Sequence, residues 1–342
     1  MGISSSVMPF SQPELPRRRM LVCLDLSGAS ETCVPYAISL AKTFGSEVTL
    51  VHVMQSGQDR GGPHANDVLG WEISRQEARG YLSRIQAQIA EALGQTVDVR
   101  IEQGRPAERI VDLAREIDAD LTVLASRGDG SVPGSGLGGT AQRVLALLRG
   151  SVFVTHSSAV GAHAGVPKRI LVPLDGSLRT ESVLPAVARL AGAHGSEILL
   201  VHVVQSPAHT ALLGAEDDME LALRLSSRLE AAANLYLERL QLRLTGRGTG
   251  VRVVVSRHAS AHQGLLEIAQ REQTDLIVLS AHGSACDAAH SFGSVTSFLL
   301  THSTVPLLVV QDLPELPLHG AHELDAKLPS AGLRASYASE SA

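Results

Sequence analysis

The chain repeats itself. Met20–Ser56 (MLVCLDLSGASETCVPYAISLAKTFGSEVTLVHVMQS) aligns with Ile170–Ser206 (ILVPLDGSLRTESVLPAVARLAGAHGSEILLVHVVQS) without a gap, and roughly half of the positions are identical. Shared residues include Asp25 and Asp175, Pro35 and Pro185, Gly45-Ser46-Glu47 and Gly195-Ser196-Glu197, and the Val-His-Val triplets around His52 and His202. Further on, Asp120–Gly128 (DLTVLASRG) aligns with Asp275–Gly283 (DLIVLSAHG). A period this long does not describe a solenoid, whose units run to roughly 20–50 residues, so each copy is read as a whole domain.

Within each copy, buried-strand and helix patterns alternate. In the second, 169–175 is a continuous apolar run, as expected of a strand covered on both faces. Residues 179–193 have helical spacing and stop before Gly195, a suitable cap. Strands follow at 197–203, 251–256, 276–281 and 305–310, with helices at 217–244, 261–270 and 294–301. Along the long helix, Leu221, Leu225, Leu229, Tyr236 and Leu240 form one apolar stripe. The first copy predicts strands near 20–25, 47–53, 97–102, 121–126 and 152–155. Alternation of this kind needs right-handed crossovers and a parallel sheet with helices on both faces. The fold class is therefore α/β, with two tandem doubly wound five-stranded parallel-sheet domains. Ligands in such folds sit beyond the carboxyl ends of the strands, where strand order reverses.

The expected domain boundaries are 19–156 and 168–311. An Ala-, Gly- and Ser-rich linker, 157–167, joins them. Residues 1–18 and 312–342 lack periodicity and are expected as disordered tails. Long loops at 57–70 and 207–215 are expected to rim the ligand side. The formal net charge of −6 argues against a nucleic-acid partner, and Arg17-Arg18-Arg19, the one basic run, reads as a solvated flank. Three scattered cysteines, Cys23, Cys33 and Cys286, build neither a disulfide framework nor a zinc site. No apolar run reaches the roughly 18 residues of a membrane span, and the N-terminus makes a poor signal peptide, so the expected location is the cytoplasm.

These motifs resemble the universal stress protein (UspA-type) family, over nearly all of 20–156 and 168–311. The family's nucleotide signature is Gly, two residues, Gly, nine residues, Gly, then Ser or Thr. In the second copy Gly283 takes the second position, and Gly293-Ser294 closes the pattern after nine residues; Ser280 replaces the first glycine. In the first copy Ala125 stands at the first position, Gly128 at the second and Gly138 at the third. There Gly139 follows in place of Ser or Thr, with Thr140 one residue later. Phosphate suits such a loop for physical reasons. Glycine lets the backbone approach an oxygen closely. A helix start offers unpaired amides and the positive end of the dipole. The dipole contributes only about 0.3–1 kcal/mol when exposed, and micromolar binding needs roughly 8 kcal/mol, so base and ribose contacts must supply most of the affinity.

The resemblance implies a Rossmann-like fold of the adenine nucleotide alpha hydrolase-like kind. It also implies that Asp175, Val203 and Pro173 lie near base and ribose, with Asp25 and Val53 as equivalents in the first copy, where Cys23 replaces the proline. The better candidate site is therefore in the second copy. The implied ligand is an adenine nucleotide, ATP with Mg²⁺. Final strands pair across the family's dimer interface, so the two copies are expected to form an intramolecular pseudo-dimer, with a homodimer and protein partners as further expectations.

Other chemistry finds less support. His52 and His202 read as histidines satisfied within the sheet surface, and His258, His262, His282 and His290 as loop and surface residues without metal-ligand spacing. Asp25 and Asp175 could serve as bases, but no nucleophile with a partner base accompanies them. A P-loop pattern is absent. The reading is a nucleotide-binding protein in a stress response or regulatory role, without catalytic residues. The alternatives are a nucleotide-free scaffold that works through protein partners and a slow ATP hydrolase.

Overall fold

The structure is a computed structural model and describes residues 18–55, 68–128, 136–156, 165–205, 216–245, 249–284 and 290–311. The first half runs β1 (Arg18–Cys23), α1 (Gly28–Glu31), α2 (Cys33–Phe44), β2 (Ser46–Met54), α3 (Val68–Leu93), β3 (Asp98–Gln103), α4 (Pro106–Glu116), β4 (Leu121–Ala125), α5 (Gly139–Leu147) and β5 (Ser151–Thr155). The second half repeats it as β6 (Arg169–Pro173), α6 (Leu178–Glu181), α7 (Leu184–His194), β7 (Glu197–Gln205), α8 (Glu216–Thr245), β8 (Val251–His258), α9 (Ala261–Arg271), β9 (Leu276–Ser280), α10 (Ser294–His302) and β10 (Leu307–Val310).

All ten strands form one sheet in the order β3-β2-β1-β4-β5-β10-β9-β6-β7-β8. Each half is parallel within itself. The halves join through β5 and β10, which pair antiparallel with Phe153 opposite Leu308, positions equivalent in the repeat. A pseudo-dyad therefore passes between them. The strands of the two halves run in opposite senses, so the carboxyl ends of β1 and β4 lie at one end of the sheet and those of β6 and β9 at the other. This is the pseudo-dimer pairing expected from the final strands.

Alternation along each strand divides the core. Met20, Val22 and Leu24 join one apolar layer with α2, α3, α7 and α8. Leu21 and Cys23 join the other with α4, α5, α9 and α10. Burial on both faces explains the unbroken apolar runs in sequence. Gly195 ends α7 with φ 66°, and Gly45 ends α2 with φ 68°, a left-handed cap that glycine adopts without strain.

Several expectations change. The helix expected over 179–193 is two pieces, α6 and α7, because Pro185 lies in the first turn of α7 and has no amide to continue an earlier helix. Pro35 does the same after α1. The stripe on α8 is buried only in its C-terminal part. Leu237, Leu240 and Leu244 enter the core, whereas Leu221, Leu225 and Leu229 are exposed. A helix of 30 residues is about 45 Å long, against about 26 Å for the eight residues of β8, so its first turns have no sheet beneath them. Arg18 and Arg19 are exposed, as expected of a solvated flank, but each also makes contacts. Arg18 stacks on Phe44, and Arg19 donates to the Ile117 carbonyl and to Asp118. The expected loops at 57–70 and 207–215 fall almost wholly outside the described residues, as do Arg17, Cys286 and most of the linker. Among the described residues no helix is long and apolar enough to cross a membrane.

Candidate functional site

In the second half, β6 ends at Pro173, and the chain turns out of the sheet at Asp175. Oδ1 of Asp175 accepts from the Ser177 amide and the Thr180 hydroxyl, both at 2.9 Å. Its Oδ2 accepts from the Ser284 amide at 2.7 Å, across the switch point from the end of β9. Burial alone would raise this carboxyl. The donors from Ser177, Ser284 and Thr180 outweigh it and hold Asp175 at about 2, ionised at neutral pH.

Gly283 is what lets the loop come so close: a Cβ there would lie 2.6 Å from Asp175 Oδ2. Gly293 then pins the neck of the loop, donating its amide to the Ala281 carbonyl at 2.8 Å, and serves as the N-cap of α10. Having no side chain, it leaves the first-turn amides without the usual oxygen cap. Ser294 opens the helix and is exposed. Two stretches distant in sequence, the turn at Asp175 and the loop that carries Gly283 and Gly293, thus meet at the tips of β6 and β9. Val203 lies in β7, partly buried, next to the position where a Gly264 side chain would begin.

The first half has the same frame with different detail. Asp25 Oδ1 accepts from Ser27 Oγ at 2.5 Å and Ser27 N at 3.1 Å. A Cβ on Gly128 would lie 1.8 Å from Asp25 Oδ2. Gly138 donates to the Ser126 carbonyl at 2.8 Å and is the N-cap of α5. Gly139 opens α5 as Ser294 opens α10, and Thr140 lies one step along the helix. Thr140 and Gly139 line an open cavity of about 300 Å³ with Arg105, Glu108 and Arg143. Val53 is buried in the core.

Some roles were not legible beforehand. Ser280 is buried, and its hydroxyl donates to the His282 carbonyl at 2.5 Å, so it shapes the loop from within. Thr180 is a ligand of Asp175 that only its three-residue spacing from the cap Ser177 could have suggested. His282, expected at the surface, is fully buried; its Nε2 bonds the His290 carbonyl at 2.9 Å and ties the loop to itself. Arg127 does the same in the first half through the Gly136 carbonyl. His52 and His202 each donate Nδ1–H to a backbone carbonyl, of Leu24 and Leu174, and brace the turns that carry the aspartates. Among the described residues no group of three or more His, Cys, Asp or Glu is arranged to hold a metal.

The universal stress protein family model matches residues 16–156 and again 167–311. A universal stress protein of Mycolicibacterium smegmatis is 27% identical over 302 residues, covering 85% of this chain and 96% of its own. Universal stress protein MJ0577 of Methanocaldococcus jannaschii is 27% identical over 154 residues, 42% of this chain and 94% of its own. The crystal structure of an Archaeoglobus fulgidus universal stress protein is similar over 87% of this chain and all of its own, with a TM-score of 0.58 at 19% identity, a likeness of fold. The chain belongs to the universal stress protein family and carries two copies of that family's domain in tandem.

Proposed function

We propose that the second half binds an adenine nucleotide, ATP with Mg²⁺, between the tips of β6 and β9, in a stress-response or regulatory role with no dedicated reaction. The observation that carries this reading is the convergence of Asp175, Gly283 and Gly293. Oδ2 of Asp175, which accepts from the Ser284 amide, is the oxygen that would take the exocyclic amine of adenine. The uncapped amides of α10 and the Ser294 hydroxyl suit phosphate oxygens. Pro173 and Val203 would flank the base and ribose. Mg²⁺ would supply charge neutralisation on the phosphates and be held chiefly by phosphate oxygens and water.

In the first half, Asp25, Val53, Gly128, Gly138, Gly139 and Thr140 would form a weaker site, since Gly139 removes the hydroxyl at the helix start. The domain limits 19–156 and 168–311, a cytoplasmic location and protein partners belong to the same reading.

Isothermal titration of the intact chain with Mg-ATP tests it. Micromolar binding that Asp175→Ala weakens at least tenfold is the expected result. Absence of heat in the wild type would end the proposal. One observation favours the nucleotide-free scaffold: Ser280 and Asp175 satisfy the loop without any ligand. That reading predicts no nucleotide in either the wild type or Ser280→Gly, with a protein partner still co-purifying. Turnover above background that Asp175→Ala abolishes would instead indicate the hydrolase.

A further inference from the structure

The seam between the halves is built from equivalent positions that carry unlike residues. Positions 136 and 291 correspond in the repeat, and so do 146 and 301. At one contact Gly136 lies against Thr301 of α10, so closely that a Cβ would be 2.7 Å from Thr301 Cγ2 and 2.9 Å from its carbonyl oxygen. At the dyad-related contact Ser291 donates its hydroxyl to the Ala146 carbonyl of α5 at 3.1 Å. One contact is Gly with Thr and the other Ser with Ala. Small meets large in opposite order.

The other face of the sheet shows the same division. Positions 39 and 189 correspond, as do 44 and 194. Ser39 on α2 bonds the His194 ring of α7 at 2.9 Å, with Thr43 also on that nitrogen at 3.2 Å. At the related contact the Arg189 guanidinium lies over the Phe44 ring, 5.7 Å from its centroid, with Arg18 also over that ring.

A symmetric pair of identical domains must use one patch twice. Two first halves on this dyad would set Gly136 against Ala146, with neither methyl contact nor hydrogen bond, and Ser39 against Phe44. Two second halves would set Ser291 against Thr301, where the observed spacing leaves no room for a Cβ, and Arg189 against His194. We propose that these four position pairs specify association of unlike halves, so that each half fits the other and rejects a copy of itself. The partner for the β5 and β10 edges is the other half of the repeat, and assembly through two like halves is excluded by overpacking on one side and lost contacts on the other.

The test uses the intact chain and thermal unfolding. Gly136→Ser with Ala146→Thr gives the 136–301 and 146–291 contacts the second-half code. Ser291→Gly with Thr301→Ala gives both the first-half code. Each double variant is expected to lower Tm by roughly 1.5–5 °C. The quadruple variant combines the two and restores unlike pairing in reverse order. It is expected to recover at least half of the larger loss, a strong non-additivity. Recovery is incomplete because the Thr301 carbonyl still crowds position 136. A quadruple variant that loses the sum of the two doubles overturns the proposal. So do double variants as stable as the wild type. If the first double variant does not fold, a folded quadruple variant supports the proposal, and an unfolded one beside a folded second double refutes it.

Discussion

Gly128→Ala is the sharpest probe of how the aspartates are seated. The backbone of Gly128 is not in the left-handed region, so alanine meets no conformational penalty there. Its Cβ would lie 1.8 Å from Asp25 Oδ2 and 3.0 Å from Cγ, and Asp25 atoms are the nearest obstacles. The carboxylate must swing away and give up its bonds from Ser27 N and Oγ. Asp25 is exposed, so each bond is taken at about 0.5–1 kcal/mol, well below the value for a buried charged pair. Removing glycine stabilises by about 0.4–1 kcal/mol through the unfolded chain. The net effect is a loss of roughly 0.5–1.5 kcal/mol, or about 1–2 °C in Tm for a chain of this size. In an Asp25→Ala background the obstacle is gone and only the gain is left, so Tm should rise by about 0.5–1.5 °C. Thermal unfolding of the four proteins reads this directly. The same sign in both backgrounds would refute the seating of Asp25 against Gly128.

Three further outcomes are expected. Burial, with neither ring nitrogen hydrogen-bonded, pushes His156 down to about 4, below the roughly 6.5 of an unfolded histidine. The unfolded chain therefore takes the proton first, and stability is full above pH 6.5 and falls toward pH 4, by at most about 1.4 kcal/mol per pH unit. Urea titrations at pH 7 and pH 5 should show a drop that His156→Gln reduces; an unchanged drop would assign it elsewhere. Ser280→Ala removes a buried donor to the His282 carbonyl and should cost about 1 kcal/mol, read as a lower urea midpoint with an unchanged slope. Burial raises both thiols, Cys33 to about 12 and Cys23 further, so iodoacetamide at pH 8 should leave both unmodified in the folded chain and label both in urea. Labelling at either site in the native protein would contradict their burial.

The strands and the repeat were legible in the sequence because parallel strands buried on both faces must be apolar without interruption, and because duplication preserved Asp, Gly and Val-His-Val positions together. Gly283 and Gly293 were singled out by their match to the universal stress protein signature. Spacing could not reveal that Ser284 offers its amide to Asp175, that Ser280 turns its hydroxyl inward or that His282 is buried, because those depend on which way a short loop folds over a strand end. The α8 stripe misled because periodicity measures amphipathicity and not whether a sheet lies beneath. Sequence by itself determined two α/β units and their order of elements, both local or repeated patterns. Only the tertiary structure decided the antiparallel register of β5 on β10, which sets the two crevices at opposite ends of one ten-stranded sheet, and that Gly136 meets Thr301 where Ser291 meets Ala146. Antiparallel pairing of β5 with β10 creates those contacts, and residues brought together by a dyad carry no mark of it along the chain.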